Sequence, residues 1–296
     1  MVEQVIPQET RARDGGRHSE DAARDAALTD LELNLLLEAI LRFSGLDYRD
    51  YSQATLKRRV SERLRDEKVQ TISGLQERVL HDPAAFARFV FAMSGGPGQL
   101  FREPAFFALV RSKIVPLLRT YSFSRIWVPN CSRGEDAYSL ATVLHEEGLL
   151  SRTMIYATDT SEIAVAAAKR GVFEFESPDG IKAAHRATGT TKALSETAEI
   201  GDHTLVFREE LRKNVIFAQH NLISDKSINE FHLIVARGVL PQFNKALQFR
   251  VHNLFINSLV RLGFLALGPS ETIKGTPHER VFREVSENEP IYRRMR

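Results

Sequence analysis

Two features of this sequence could do chemistry together. The first is Pro129-Asn130-Cys131-Ser132-Arg133-Gly134-Glu135, which follows the apolar run Ile126-Trp127-Val128 and leads into a helical pattern. Ligands of open α/β sheets bind beyond the carboxyl ends of the strands, so a loop in this position lines a site. It has no GxGxxG. Only Gly134 lets the backbone come close to a ligand, which argues against a pyrophosphate and hence against NAD or FAD. A single glycine in such a turn can also be purely structural. The second feature is Asp159, 25 positions after Gly134 and at the end of the apolar run Met154–Thr158. In nucleotide-binding α/β folds, a carboxylate about 20 residues past the glycine turn accepts hydrogen bonds from ribose hydroxyls. The plainer alternative is an N-cap for the helix that starts near Ser161. A glycine-poor loop with a ribose carboxylate suits adenosine without phosphates, which points to S-adenosylmethionine.

Other chemistries find less support. Cys131 precedes a helix N-terminus, which lowers a thiol pKa, but a cysteine nucleophile needs a histidine partner that spacing does not supply. The nine histidines show no HxxxH or HxH spacing, so no metal site is expected. Phe86-Ala87-Arg88-Phe89-Val90-Phe91 has the pattern of helical core rather than of a cofactor box.

The elements that must position these residues can be read from periodicity. Thr29 and Glu32 have capping-box spacing, and Leu31, Leu35, Leu36, Ala39, Ile40 and Phe43 follow on a helical period until Gly45. Ser52 caps a second helix with Leu56, Val60 and Leu64 on one face, and two short helices fit Ile72–Leu80 and Pro83–Met93. Residues 28–93 therefore form an all-helical domain, behind a polar segment, 1–27, expected to be disordered. Ser94-Gly95-Gly96-Pro97-Gly98 marks a linker at 94–104. Beyond it, helical Pro104–Thr120 and strand Ile126–Val128 are followed by helix Glu135–Glu147, strand Met154–Thr158 and helix Ser161–Arg170. Strands Val215–Gln219 and Phe231–Ala236, helix Asn244–Arg261 and strand Phe264–Leu267 complete the alternation. Such alternation implies a doubly wound parallel sheet with helices on both faces over 105–296. Residues 172–212 are too long for a connection and are expected to be an inserted small β-subdomain, with Val281–Arg294 closing the sheet as an antiparallel hairpin.

Composition limits the function. The chain has 296 residues, 43% hydrophobic and 26% charged, which excludes a mostly disordered or collagen-like protein. Its net charge is +2, too small for the whole chain to be a nucleic-acid binder. One cysteine excludes an internal disulfide and fits a reducing compartment. No apolar run approaches the ~20 residues that span a bilayer and no signal peptide is visible, so a cytoplasmic protein is expected.

The motifs LFRE (100–103), WVPNCSRGEDAYSLA (127–141), YATDTSEIAVAAAKRGVF (156–173), FAQHNL (217–222) and FHLIVARGVLPQF (231–243) resemble those of the chemotaxis-receptor glutamate O-methyltransferase family, CheR. So does FSGLDYRDYSQATLKRRVSERL (43–64). The resemblance implies an S-adenosylmethionine-methyltransferase-like sheet behind a helical domain, and methyl transfer to receptor glutamates with S-adenosylhomocysteine as product. It places the family's arginine near the methyl donor at Arg102. It implies cofactor contacts at Asn130, Asp136, Asp159, Asn221, Leu222, Arg237 and Gly238. The family's basic helix faces acidic receptor segments, which implies partner contacts at Arg58, Arg59 and Arg63. No nucleic acid or membrane insertion is expected, and a monomer is.

The departures lie in the same pocket. The family's linker TTNLTAFFRE is SGGPGQLFRE here, so polar cofactor contacts become Gly96 and Gly98. The family's CRNVMIYF is ARGVLPQF, with Gly238 for Asn and Gln242 for Tyr, and Arg133 stands where a Thr belongs. At ~0.5–1.5 kcal/mol per hydrogen bond, these losses weaken cofactor binding. Two functions follow: a protein-glutamate methyltransferase, or a degenerate regulatory module that binds a nucleotide-like ligand or a protein. A glutamate substrate is already ionised at neutral pH and needs orientation rather than a general base.

Overall fold

The computed structural model describes residues 12–95 and 98–296. Contacts divide the chain into two units, Met1–Arg49 with Lys57–Ala85, and Asp50–Leu56 with Phe86–Arg296.

The first unit is helical. Helix α1 spans Ala12–Ser44, and α3 (Ile72–His81) packs against it. The buried stripe Leu33, Leu36, Leu37 and Ile40 recurs at helical spacing, and Leu75 and Val79 of the neighbouring α3 are buried as well. Thr71 caps α3 by accepting from the Gly74 N–H, and the Ser73 hydroxyl reaches Glu32 at 2.6 Å. The structure differs from the expected disordered tail. Backbone is helical from Ala12, because the alanine-rich run Ala22-Ala23…Ala26-Ala27 carries high helix propensity into the stripe. Residues 1–11 of that segment, and Gly96 and Pro97 of the expected linker, lie outside the described residues. Helix α2 (Gln53–Glu67) and α4 (Pro83–Met93) each begin in one unit and continue in the other.

The second unit is the α/β layer. Helix α5 (Pro104–Leu109) passes through a π turn, Val110–Ile114, into α6 (Val115–Leu118). Strand β1 (Ser124–Pro129), α7 (Glu135–Glu146), β2 (Thr153–Asp159) and α8 (Glu162–Arg170) follow in the expected order. Strands β3 (Val172–Glu174), β4 (Ala198–Ile200) and β5 (Thr204–Phe207) form a separate antiparallel sheet, with α9 (Pro178–Arg186) between the first two. After the one-turn α10 (Glu209–Arg212) come β6 (Val215–Gln219), β7 (Phe231–Ala236), α11 (Lys245–Ser258), β8 (Leu259–Leu267), β9 (Phe282–Glu284) and β10 (Ile291–Arg294). The large sheet runs β6-β2-β1-β7-β8-β10-β9, parallel as far as β8 and antiparallel beyond. The strand order reverses at β1, with β2 on one side and β7 on the other, which opens the crevice where such sheets bind ligands.

One detail corrects the reading from periodicity. The last crossover helix stops at Ser258, and β8 begins at Leu259 instead of Phe264. Leu262 at φ 67° and Gly263 form an irregularity there; a Cβ on Gly263 would stand 2.9 Å from the Val260 carbonyl oxygen. The inserted sheet holds three strands, fixed to the main layer by Tyr138, whose ring stacks 4.7 Å from Phe207 and packs edge-on to Phe173. A second tie is buried His185 of α9, 2.7 Å from Glu146, which also receives Arg111 at 2.6 Å.

Candidate functional site

The site is built at the carboxyl ends of β1, β2 and β7. After β1 the chain turns through Asn130 (φ 53°), Ser132 (φ 50°) and Gly134 (φ 91°). Asn130 donates its side-chain amide to the Ser94 carbonyl at 2.7 Å. Gly134 has a packing reason: a Cβ would stand 2.9 Å from the Phe217 ring and 3.3 Å from Tyr138. The glycine singled out for ligand approach is thus required by the aromatic core beneath the loop.

Asp159 ends β2 and is buried. Its Oδ2 accepts the Ser132 N–H and its Oδ1 the Ser161 N–H, each at 2.9 Å. The N-cap of α8 is Ser161, whose hydroxyl accepts from the Ala164 N–H, so the capping alternative for Asp159 does not hold. Burial pushes the Asp159 carboxyl up to about 6, against the pull of the backbone N–H groups of Ser161 and Ser132. It is therefore charged at neutral pH and holds the loop after β1 by its amides.

Arg102 lies between two residues of positive φ, Phe101 (54°) and Glu103 (55°). Non-glycine residues rarely adopt this conformation, which costs of order 1–3 kcal/mol and concentrates where function constrains the chain. The backbone is secured from both sides. The Phe101 N–H donates to Ser139 Oγ at 2.8 Å, and the Arg102 carbonyl accepts from Arg237 at 2.8 Å. The Gly98 N–H donates to buried Glu135, whose carboxyl burial raises above the usual range. The Arg102 side chain itself is exposed and makes no ion pair among the described residues.

Arg237 ends in the opposite state. Its guanidinium is fully buried, pairs with Glu103 at 2.5 Å and Asp136 at 2.9 Å, and lies 4.4 Å from the Phe106 ring centroid. Of the residues named as cofactor contacts, Asp136 and Arg237 therefore bind each other, and the Arg237 side chain serves the fold of the site. The pairing follows from charge: a buried guanidinium needs carboxylate partners, and these two are in reach.

Gly238 begins a turn at φ 72° and faces Arg102; a Cβ there would lie 3.9 Å from Arg102 Nη2 and meet nothing nearer. Gln242 is buried, and its Nε2 donates back to the Gly238 carbonyl at 2.7 Å. The residue that sequence reasoning missed is Glu271. It is buried, and its carboxylate accepts the N–H groups of Gly238 (2.7 Å), Val239 (3.0 Å), Leu240 (2.7 Å) and Gly268 (2.6 Å). Burial raises its pKa while these amides pull the other way. Asn221 and Leu222, in the loop after β6, are half-buried. Asn221 Oδ1 accepts the Ile223 N–H at 2.9 Å, which shapes that loop.

These residues fit an adenosine-bearing cofactor. Asp159 offers a charged carboxylate at a strand end, held by the Ser132 and Ser161 amides with Ser94 and Thr160 also hydrogen-bonding to it, and Gly238 leaves open space beside Arg102. Among the described residues no group of three metal-ligating side chains occurs.

The model of the CheR methyltransferase SAM-binding domain matches residues 98–289, and that of the CheR methyltransferase all-alpha domain matches 31–94. The chain belongs to the CheR methyltransferase family. A Pseudomonas putida relative bearing the name Cher3 is 39% identical over 90% of this chain and 97% of its own length. A chemotaxis protein methyltransferase of Listeria innocua is 27% identical over 83% and 92% respectively. A SAM-dependent methyltransferase structure from Geobacter sulfurreducens with S-adenosylhomocysteine gives a TM-score of 0.33 at 14% identity, covering 62% of this chain and 54% of that one. S-adenosylmethionine is the cofactor of this CheR domain, as the loop chemistry around Asp159 implied.

The basic helix is rearranged relative to expectation. Arg59 is buried, and Arg63 is largely covered and paired with Asp66 and Glu67. Lys57 pairs with Asp30, and Arg58 with Glu62. Arg59 is thereby removed from any docking face, because it stands three positions from buried Leu56 and so shares the apolar side of α2. Arg58 and Arg65 remain exposed.

Proposed function

We propose that this protein transfers a methyl group to glutamate side chains on acidic helical segments of chemoreceptor-type signalling proteins, in the cytoplasm and as a monomer. The observation that carries this reading is the exposed Arg102 guanidinium beside the Gly238 turn, without an ion pair among the described residues and held by a strained backbone between Phe101 and Glu103. When bound, S-adenosylmethionine supplies an electrophilic methyl group. Asp159, with Asn221, Leu222, Asn130 and the Gly238 turn, would hold its adenosine portion. Arg102 then suits the incoming carboxylate, since a guanidinium fork matches carboxylate geometry. The substrate oxygen is ionised at neutral pH, so the protein's work is orientation and exclusion of water rather than proton removal. In the helical unit, Arg58 and Arg65 of α2 are left to meet an acidic partner helix.

The test combines calorimetric titration with S-adenosylhomocysteine and transfer of labelled methyl from S-adenosylmethionine to receptor fragments. Micromolar binding with base-labile label on glutamate supports the reading. A second reading, a binding-only regulatory module, draws support from Gln242, which folds back on Gly238 instead of facing outward. It predicts binding without transfer to any receptor fragment. Lack of S-adenosylhomocysteine binding would sink the first reading and leave a protein-docking module.

A further inference from the structure

We infer that Glu271 is the positioning residue of the cofactor turn: its carboxylate gathers the amides of Gly238, Val239 and Leu240 and so fixes the wall that faces Arg102. The inference rests on the reading that this turn borders the bound cofactor.

The geometry resembles an anion-binding nest. Successive N–H groups after a positive-φ residue converge on one point, an arrangement that ordinarily collects a phosphate or carboxylate. Here the chain supplies its own anion, so the concavity is filled and the turn is held in one shape. Gly268 lets this happen. A Cβ at position 268 would stand 2.5 Å from Glu271 Oε2 and 3.2 Å from the Gly238 nitrogen. Gly268 and Glu271 therefore form one device: the glycine clears the space and the glutamate occupies it. On the far side of the turn, Gln242 closes the loop to the Gly238 carbonyl, and its own carbonyl accepts the Ser52 N–H at 2.8 Å. Next to it Tyr51 stacks edge-on to Phe243 at 5.1 Å, and the Asn244 N–H donates to the Asp50 carbonyl at 2.8 Å. The turn is thus clamped at its start by Glu271 and at its end by Asp50–Ser52. Between the clamps, the backbone at Gly238 is what a ligand beside Arg102 would touch.

A carboxylate with four amide partners could simply stabilise the fold, so the experiment separates stability from positioning. The full-length wild type, Glu271→Gln, Glu271→Asp and Gly268→Ala proteins are titrated with S-adenosylhomocysteine, each well below its melting temperature, and amide exchange is followed at 238–240. The Gln variant keeps the shape but offers only one acceptor oxygen, and the Ala variant displaces an intact carboxylate. Both should lose about tenfold or more in affinity per folded molecule, with faster exchange confined to 238–240. The Asp variant, charged but too short to reach all four amides, should fall between them and wild type. A merely structural role would lower the melting temperature and leave the affinity of folded molecules unchanged, and that result overturns the inference. If one variant fails to fold, the others decide by the same criterion. Wild-type protein that does not bind at all would remove the cofactor reading itself, together with this inference. Binding in wild type with equal binding in the variants would remove only the inference.

Discussion

Two buried carboxylates hold the strand-end loops of this candidate site, each by collecting backbone N–H groups. After β2, Asp159 takes two amides, from Ser132 and Ser161; Glu271 takes four, three of them from the turn after β7. The difference decides what each can do. Glu271 has spent its lone pairs inside the protein and can only fix shape. Asp159 is held by fewer close amides, with Ser94 and Thr160 as further partners, and burial has brought its titration to about 6. On the proposed reading, one carboxylate is scaffold and the other also meets the cofactor.

The harshest way to break this comparison is to delete each carboxylate. Glu271→Ala strands four donors, three of them in the turn. Buried unsatisfied groups cost about 1–3 kcal/mol each, and water entering the cavity recovers part, so a loss of roughly 4 kcal/mol in urea unfolding is expected. Asp159→Ala strands two and relieves a buried charge, so a loss of only about 1–2 kcal/mol is expected, with cofactor affinity falling further than stability does. Equal stability losses in the two variants would erase the distinction.

A smaller but sharper effect comes from pH. The folded pKa of Asp159 lies above its unfolded value, near 3.9. Between those values the folded protein binds more protons, so the contribution of Asp159 to stability grows as pH falls from about 6 to about 4. Ligand affinity should move the opposite way, because only the ionised carboxylate accepts well from two ribose hydroxyls. About tenfold weaker S-adenosylhomocysteine binding at pH 5 than at pH 7.5 is expected, and Asp159→Asn should flatten that profile. Glu146 has the other sign. Its pKa is lowered by His185 and Arg111 against burial, so the stability it lends is lost as pH falls through that lowered value. A profile in which binding and stability decline together from pH 6.5 would assign the transition to groups other than Asp159.

The same contrast explains what was legible from sequence. Asp159 drew attention by its place at the end of an apolar strand, whereas Arg102, Asn130 and Gly238 were named only through the family's motifs. The parallel sheet was visible because its strands, buried on both faces, are near-continuous apolar runs such as Phe231–Ala236, broken only by His232. Glu271 gave no signal. It follows Gly268-Pro269-Ser270 in a loop, and a carboxylate that gathers amides from a turn thirty residues earlier has no local pattern. Gly134 misled because close approach of a ring and close approach of a ligand demand the same residue. The basic helix misled in a similar way, because spacing shows where arginines stand on a helix but not which carboxylates lie across from them. Lys57 with Asp30 joins residues from two helices.

The smallest expected effect concerns that helix. On α2, Arg58 and Arg65 are exposed and Arg59 is buried, so charge reversal should separate docking from folding. An exposed ion pair is worth about 0.2–1 kcal/mol, so Arg58→Glu with Arg65→Glu should weaken capture of a glutamate-rich receptor helix by only about two- to tenfold, with the loss shrinking at high salt. The melting temperature should barely move, since Arg58 gives up only an exposed pair with Glu62. Arg59→Glu should do the reverse: it places an acid at a buried position and should destabilise the helical unit by several kcal/mol. Pull-down at two salt concentrations, alongside thermal melts, reads both quantities. If the exposed double reversal binds the receptor helix as wild type does, α2 is a solvated face and the partner meets another surface.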